Sequence, residues 1–202
     1  MNSTKLKLIK AAIQLYSENN IESLSVQKIN EMAKVSNKSA LYYHFKSKSG
    51  LVEAALDHIL DSYVHEVEYL IQQIDEDTVQ VSEVIDALMT PMIKMLLEEN
   101  GVMKLKFFSK VISAGDEGRI WVSKKVGPAS IIAVDLICKA LPQANPDEIS
   151  LKILFTFNTL INIVSDVGIE NFWPTKIKDR KEIGKYLKNF IEGGLIHSLH
   201  QK

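Results

Sequence analysis

Cysteine is nearly absent from this chain: among 202 residues only Cys138 carries a thiol. No disulfide framework can form within one copy, and a reducing compartment is implied. Long apolar runs are absent too. The longest stretch free of charged side chains, 153–165, has thirteen residues. That is about 20 Å of helix, whereas a bilayer needs about 20 residues. Lys5, Lys7 and Lys10 interrupt the N-terminus where a signal peptide would place its apolar core. The expected location is the cytoplasm, with no membrane partner.

Reaction motifs are equally scarce. There is no glycine-rich phosphate loop, no nucleophile elbow, no Glu-x-x-His pair and no Cys–His arrangement. An enzyme built on a helical bundle is therefore not expected, nor is a cofactor. His58 and His65 share a helix face with Asp61 between them. Two imidazoles and a carboxylate on an exposed helix fall short of a metal site, so no metal is expected. Cys138, among Leu136, Ile137 and Leu141, reads as inert core.

Acid is thin at one end of the chain. Residues 1–50 hold no Asp and three Glu (Glu18, Glu22, Glu31) against eight Lys, a net +5, so the remainder carries −6 of the −1 total. A basic head on an acidic body points to a polyanion at the head. With 46% apolar and 24% charged residues, the composition is otherwise that of an ordinary folded protein.

What is present is helical period, with no strand-type alternation. Leu8, Ala11, Ala12, Leu15 and Tyr16 line one face of a first helix. Ser25 is placed to cap a second, with Leu24 and Ile29 as its hydrophobic staple. Ser36 or Asn37 is expected to cap a short third helix through His44, and Ser47 a fourth that runs on through Leu51, Leu56, Ile59 and Tyr63. Further helices are expected at 78–99, 102–113, 120–125, 130–140, 147–167 and 178–197. Breaks fall at Gly101, Gly115, Gly127-Pro128, 142–146 and Trp173-Pro174. The fold class is all-α: a three-helix head over 1–47 and a helical body over 48–202.

Residues 25–45 read as helix, tight turn, helix. Ala33 is small enough for a helix crossing, Val35 plugs the turn, and Leu41 and Phe45 anchor the second helix. The free face then presents Asn37, Lys38, Ser39, Tyr42, Tyr43 and His44, all hydrogen-bonding groups suited to a groove or a phosphate. Between Val35 and Leu56 the only acidic residue is Glu53.

The string Leu41-Tyr42-Tyr43-His44-Phe45-Lys46-Ser47-Lys48, after Ser25-Val26-Gln27-Lys28-Ile29 and Ala33-Lys34-Val35-Ser36, resembles the DNA-binding domain of the TetR family of bacterial transcriptional repressors. The resemblance covers about residues 5–60. It implies phosphate contacts from Ser25, Tyr42, His44 and Lys48, and base contacts from Lys38 and Ser39. Departures stand beside it: Asn20 and Lys34 occupy positions where the family usually has Gly. One residue more than the common spacing separates Ile29 from Leu41, which leaves the register of base contacts over 36–39 open.

Residues 147–167 are apolar nearly all round, and such a helix must be covered on every side. The last helix gathers Tyr186, Leu187, Phe190, Ile191 and Leu195 on one face. The family dimerises through its last two long helices, packed as a four-helix bundle. That implies a homodimer seam at Phe157, Ile161, Tyr186, Leu187, Phe190 and Ile191. A pocket for a small, mostly apolar effector is expected among the middle helices, which concentrate Met and aromatic residues and contain Pro91. Its expected lining is Met89, Met92, Met103, Phe107, Trp121, Phe155 and Asn158. The combined expectation is a dimeric repressor on a palindromic double-stranded DNA operator, answering to a hydrophobic effector. The alternative is a DNA-binding regulator with no effector.

Overall fold

The structure, a computed structural model, describes residues 3–19, 23–165, 174 and 183–197. Asn20, the break at Trp173 and residues 178–182 of the last expected helix lie outside them. All regular elements among the described residues are helices: α1 (Ser3–Glu18), α2 (Val26–Met32), α3 (Ala40–Phe45), α4 (Lys48–Gln72), α5 (Val81–Leu97), α6 (Gly101–Ser113), α7 (Asp116–Ala140), α8 (Pro146–Ser165) and α9 (Ile183–Ile196). No helix among them is long and apolar enough to cross a membrane.

The chain divides into two compact units, one of Met1–Ser62 with Glu99–Lys125, the other of Tyr63–Glu98 with Val126–Lys202. In the first unit α1 packs on α2, α3 and, most extensively, α6. Leu8, Ala12 and Tyr16 of α1 are completely buried with Ile29, Leu41, Leu51, Leu56, Phe107 and Phe108. Lys125 lies between Asp57 at 2.9 Å and Asp61 at 2.8 Å, and those two hydrogen bonds hold its ammonium pKa above the usual lysine value. Asp61 is thus engaged by Lys125, while His65 approaches Glu68 at 3.9 Å.

In the second unit α5 packs on α9 and α8, and α8 on α9. Its core includes Val67, Val84, Ile85, Met89, Met92, Ile137, Ile153, Leu160, Ile161 and Ile191. Tyr63 donates from its hydroxyl to the Leu88 carbonyl at 3.3 Å, and full burial drives its pKa well above the ordinary tyrosine range. Lys188 pairs with Asp86 at 2.6 Å, tying α9 to α5.

Three boundaries differ from the sequence expectation. Residues 120–140 are not two helices: α7 runs unbroken through Gly127 and Pro128. Pro128 forfeits one helical hydrogen bond, yet Gly127 has no Cβ for the pyrrolidine ring to meet. α5 starts at Val81 because Asp75 ties up the preceding turn, accepting from the amides of Asp77 and Thr78. α3 starts at Ala40, later than a Ser36 or Asn37 cap would place it.

Candidate nucleic-acid interface

Short-range chemistry builds most of this interface. Ser25, in extended backbone, accepts from the Lys28 amide at 3.2 Å and caps α2. Ser47 accepts from the Gly50 amide at 2.9 Å and opens α4 with Lys48 as its first residue. Each side-chain cap satisfies a backbone donor that the helix leaves unpaired. Gly50 is required at its place: a Cβ there would stand 2.2 Å from the Phe45 carbonyl oxygen.

The turn between α2 and α3 is held in another way. Asn37 accepts the Ser39 amide on its side-chain oxygen at 2.9 Å and the Ala40 amide on its carbonyl at 3.0 Å. This Asx turn consumes the residues expected to begin the helix, so Ser39 becomes the N-cap, without a side-chain bond. Lys34 adopts φ 53 and Lys46 φ 66, both left-handed. Each costs a non-glycine residue about 1–2 kcal/mol, which neighbouring bonds must offset.

α3 is fastened by Ala40, Leu41 and Phe45, all buried, with the Lys5 ammonium 5.7 Å from the Phe45 ring centre. Its other face is open. Tyr43 is 82% and Tyr42 54% exposed, and Asn37, Lys38 and Ser39 are exposed beside them. His44 is half-buried, its ring edge-on to Tyr43 with centroids 4.9 Å apart. Ser25 is exposed and Lys48 half-buried. Asn37, Tyr43 and His44 share a cleft of about 400 Å³ with Thr4, Lys7 and Lys34. Those last three are not marked as contacts by any sequence motif, although Thr4 and Lys7 are one helical turn apart on α1 and belong to the basic head. Further along α4, the His58 imidazole is held below its ordinary pKa by desolvation, then by the charges of Lys104 and Lys10.

The residues expected to hold an effector fall in both units. In the first, Phe107 is completely buried, while Met103 and Trp121 are half-buried. In the second, Met89 and Met92 are core, but Phe155 is 61% exposed and Asn158 exposed, its amide donating to the Leu154 carbonyl at 2.9 Å. A gap of about 20 Å³ in this unit is lined by Tyr63, Val67, Leu88, Ala129, Ile153, Phe157 and neighbours, none of them an expected effector residue. Its hydroxyls are already bonded, Ser130 to the Val126 carbonyl and Thr156 to the Lys152 carbonyl, each at 2.9 Å.

Among the residues expected at a dimer seam, Tyr186 is 64% and Phe190 73% exposed, and Leu187 and Phe157 are half-buried. Ile161 and Ile191 turn into the subunit's own core. The outward stripe of α8 is instead Leu151, Leu154, Phe155 and Asn158, at i, i+3, i+4 and i+7. Beside Phe190 an open groove of about 630 Å³ runs along Gly193, Gly194, Lys152 and Glu148.

Two short helices joined by a tight turn, the second fastened by apolar anchors and exposed on a polar, basic face, define a helix-turn-helix DNA-binding protein. The family described as "Bacterial regulatory proteins, tetR family" matches residues 8–55, and "Tetracyclin repressor-like, C-terminal domain" matches residues 86–194. The chain belongs to the TetR family and is a transcriptional regulator. No curated protein matches it. Solved structures share the fold. It is similar to the fatty acid degradation regulator FadR from Bacillus halodurans (15% identity, 93% of this chain and 97% of that one, TM-score 0.69). It is similar also to PfmR, a TetR family transcriptional regulator from Thermus thermophilus (15%, 93% and 96%, 0.62), and to Salmonella enterica GusR (16%, 96% and 95%, 0.63).

Proposed function

We propose that the chain represses transcription as a homodimer on a palindromic operator and is released or recruited by a small, mostly apolar effector. The observation that carries the DNA half is the outward face of α3, where Tyr42 and Tyr43 are exposed on a helix pinned by Leu41 and Phe45, with Lys38 and Ser39 exposed in the turn that leads into it. In this reading Lys38 and Ser39 meet base edges. Tyr42, His44, Lys48 and Ser25 hold phosphates, the last two at helix N-termini whose dipoles favour an anion. Two recognition helices of a dimer would enter successive major grooves about 34 Å apart. Selection from a random duplex pool tests this: a two-fold symmetric consensus is expected, and its absence sinks the reading.

The dimer half rests on the apolar stripe of Leu151, Leu154 and Phe155 on α8 and Tyr186 and Phe190 on α9, exposed in one subunit. The effector half rests on the buried Met89 and Met92 of α5, side chains that repack readily. A difference of about 1–3 kcal/mol in effector affinity between two shapes of the body changes operator occupancy about 5- to 150-fold. One observation favours the second reading, a regulator with no effector: among the described residues, the gap beside Tyr63, Leu88 and Ile153 measures about 20 Å³, room for about one water. A thermal-shift screen of hydrophobic metabolites, followed by operator release in an anisotropy assay, separates the two. A compound that raises the melting temperature and changes operator affinity supports an effector; none across the screen favours the second reading.

A further inference from the structure

Asn30 is a polar side chain in an apolar place. It lies on α2 and is only 5% exposed. Its amide Nδ2 donates to the backbone carbonyl of Lys38 at 3.2 Å. Its backbone carbonyl, as distinct from the side-chain oxygen, accepts from the Val35 amide at 2.9 Å. One residue therefore grips the turn at both ends, Val35 where it leaves α2 and Lys38 just before the Ser39 N-cap of α3. The grip is made at a cost: Asn30 Oδ1 is buried with no hydrogen-bond partner, which an apolar side chain would avoid.

We propose that Asn30 is a positioning residue for base reading, its amide fixing the pose of Asn37, Lys38 and Ser39 on the recognition face. The inference rests on the reading that α3 enters a DNA groove. The carbonyl gripped is that of Lys38 itself, so the bond determines where this side chain leaves the backbone. The Asx turn of Asn37 onto Ser39 fixes only the two-residue local geometry; it does not anchor that turn to α2. Left-handed Lys34 sits inside the same loop, a backbone state that persists where surrounding bonds over-determine it. Tyr42, His44 and Lys48 are carried by α3 and α4 beyond the turn and do not depend on the grip. Loss of the bond is thus expected to disturb sequence preference and to spare the phosphate contacts.

The test compares the full-length wild type with Asn30→Leu, which keeps the branched shape without the donor, Asn30→Ala, which removes both shape and donor, and Lys38→Ala, which keeps the carbonyl. Hydrogen exchange without DNA is expected to be about tenfold faster at Ser39 and Ala40 in both Asn30 variants, the effect of one lost bond. Exchange in α1 and in Lys38→Ala should remain as in wild type. In duplex selection, the Asn30 variants are expected to lose preference at the base pairs that Lys38→Ala also affects. Their salt slope should stay that of wild type. Wild-type exchange in Asn30→Leu would overturn the proposal. So would faster exchange with an unchanged consensus, or a lower melting temperature with affinity lost equally for all sequences, which marks a merely structural role. A wild-type chain that selects no sequence defeats the DNA reading instead, and is told apart because exchange reports on the grip without DNA.

Discussion

The rings of Tyr16 and Phe107 lie with centroids 6.3 Å apart and planes 32° from parallel, both completely buried, so that α1 of the head is welded to α6. Phe107 is thereby a core residue of the first unit. Truncation to Ala is expected to cost about 3–5 kcal/mol. The Tyr16 hydroxyl, however, has no hydrogen-bond partner, and burial lifts its pKa from 10.0 to about 12. Tyr16→Phe should therefore leave stability at pH 8 unchanged or raise it by about 1 kcal/mol. The contribution of Tyr16 to stability is fully present below pH 10 and is lost between pH 10 and 12, as the unfolded chain ionises first, by about 1.4 kcal/mol per pH unit. The Phe variant lacks that contribution, and the slope that remains comes from the other groups held above their ordinary pKa, Tyr63, Lys125, Lys139 and Cys138. Urea titrations at pH 8 and 11 check this; an equal loss in both proteins would contradict it.

Gly50→Ala places a Cβ 2.2 Å from a backbone oxygen of Phe45, and backbone cannot rotate away as a side chain can. The first turn of α4 must move off the end of α3, at a cost of about 1–3 kcal/mol. Because Lys48 and Ser47 lie in that turn, both melting temperature and DNA affinity are expected to fall. A melt and an anisotropy titration on one preparation decide it. Loss of stability with DNA binding intact would show that the turn tolerates the shift.

How legible all this is in the sequence depends on the range of the interactions. The caps at Ser25 and Ser47 span three residues and are readable. The anchors Leu41 and Phe45 follow from period and from the family signature. The start of α3 is not readable, because the competing bonds of Asn37 and of Asn30, eight residues away from Lys38, are not encoded by period. The packing of α1 on α6 joins segments about ninety residues apart, a contact that local period does not encode and that places Glu99–Lys125 in one compact unit with Met1–Ser62. On α8, apolar residues all round leave no moment to tell inward from outward. The seam that the resemblance implies includes Ile161 and the expected pocket includes Phe155; within one subunit Ile161 is buried and Phe155 is exposed.

Lys48 and Lys38 should fail differently. Lys48 begins α4, and in the proposed function its ammonium, at the positive end of the helix dipole, would meet a phosphate whatever the sequence. Lys48→Ala is expected to weaken all duplexes alike and to flatten the slope of log K against log salt by about 0.9. Lys38→Ala should cost about 1–3 kcal/mol on the selected operator and little on random DNA. Anisotropy titrations at several salt concentrations, on operator and scrambled duplex, distinguish them. Wild-type affinity and slope in both variants would refute the phosphate and base assignments together.

Tyr186 and Phe190 offer the sharpest test of assembly, because they are exposed in a single subunit. Replacing both with Glu leaves the subunit core untouched, yet in a dimer it would bury two unpaired carboxylates per chain in an apolar seam, at a cost of several kcal/mol. The double variant is expected to sediment as a folded monomer at micromolar concentration while the wild type sediments as a dimer. Ile191→Glu serves as the contrast. Ile191 is 5% exposed within its own subunit, so that variant should lose melting stability whether or not a partner is present. A double Glu variant that stays dimeric would move the seam away from α9. A wild type that sediments as a monomer would remove the two-fold operator from the proposed function, since a single recognition helix has no symmetry to impose on DNA.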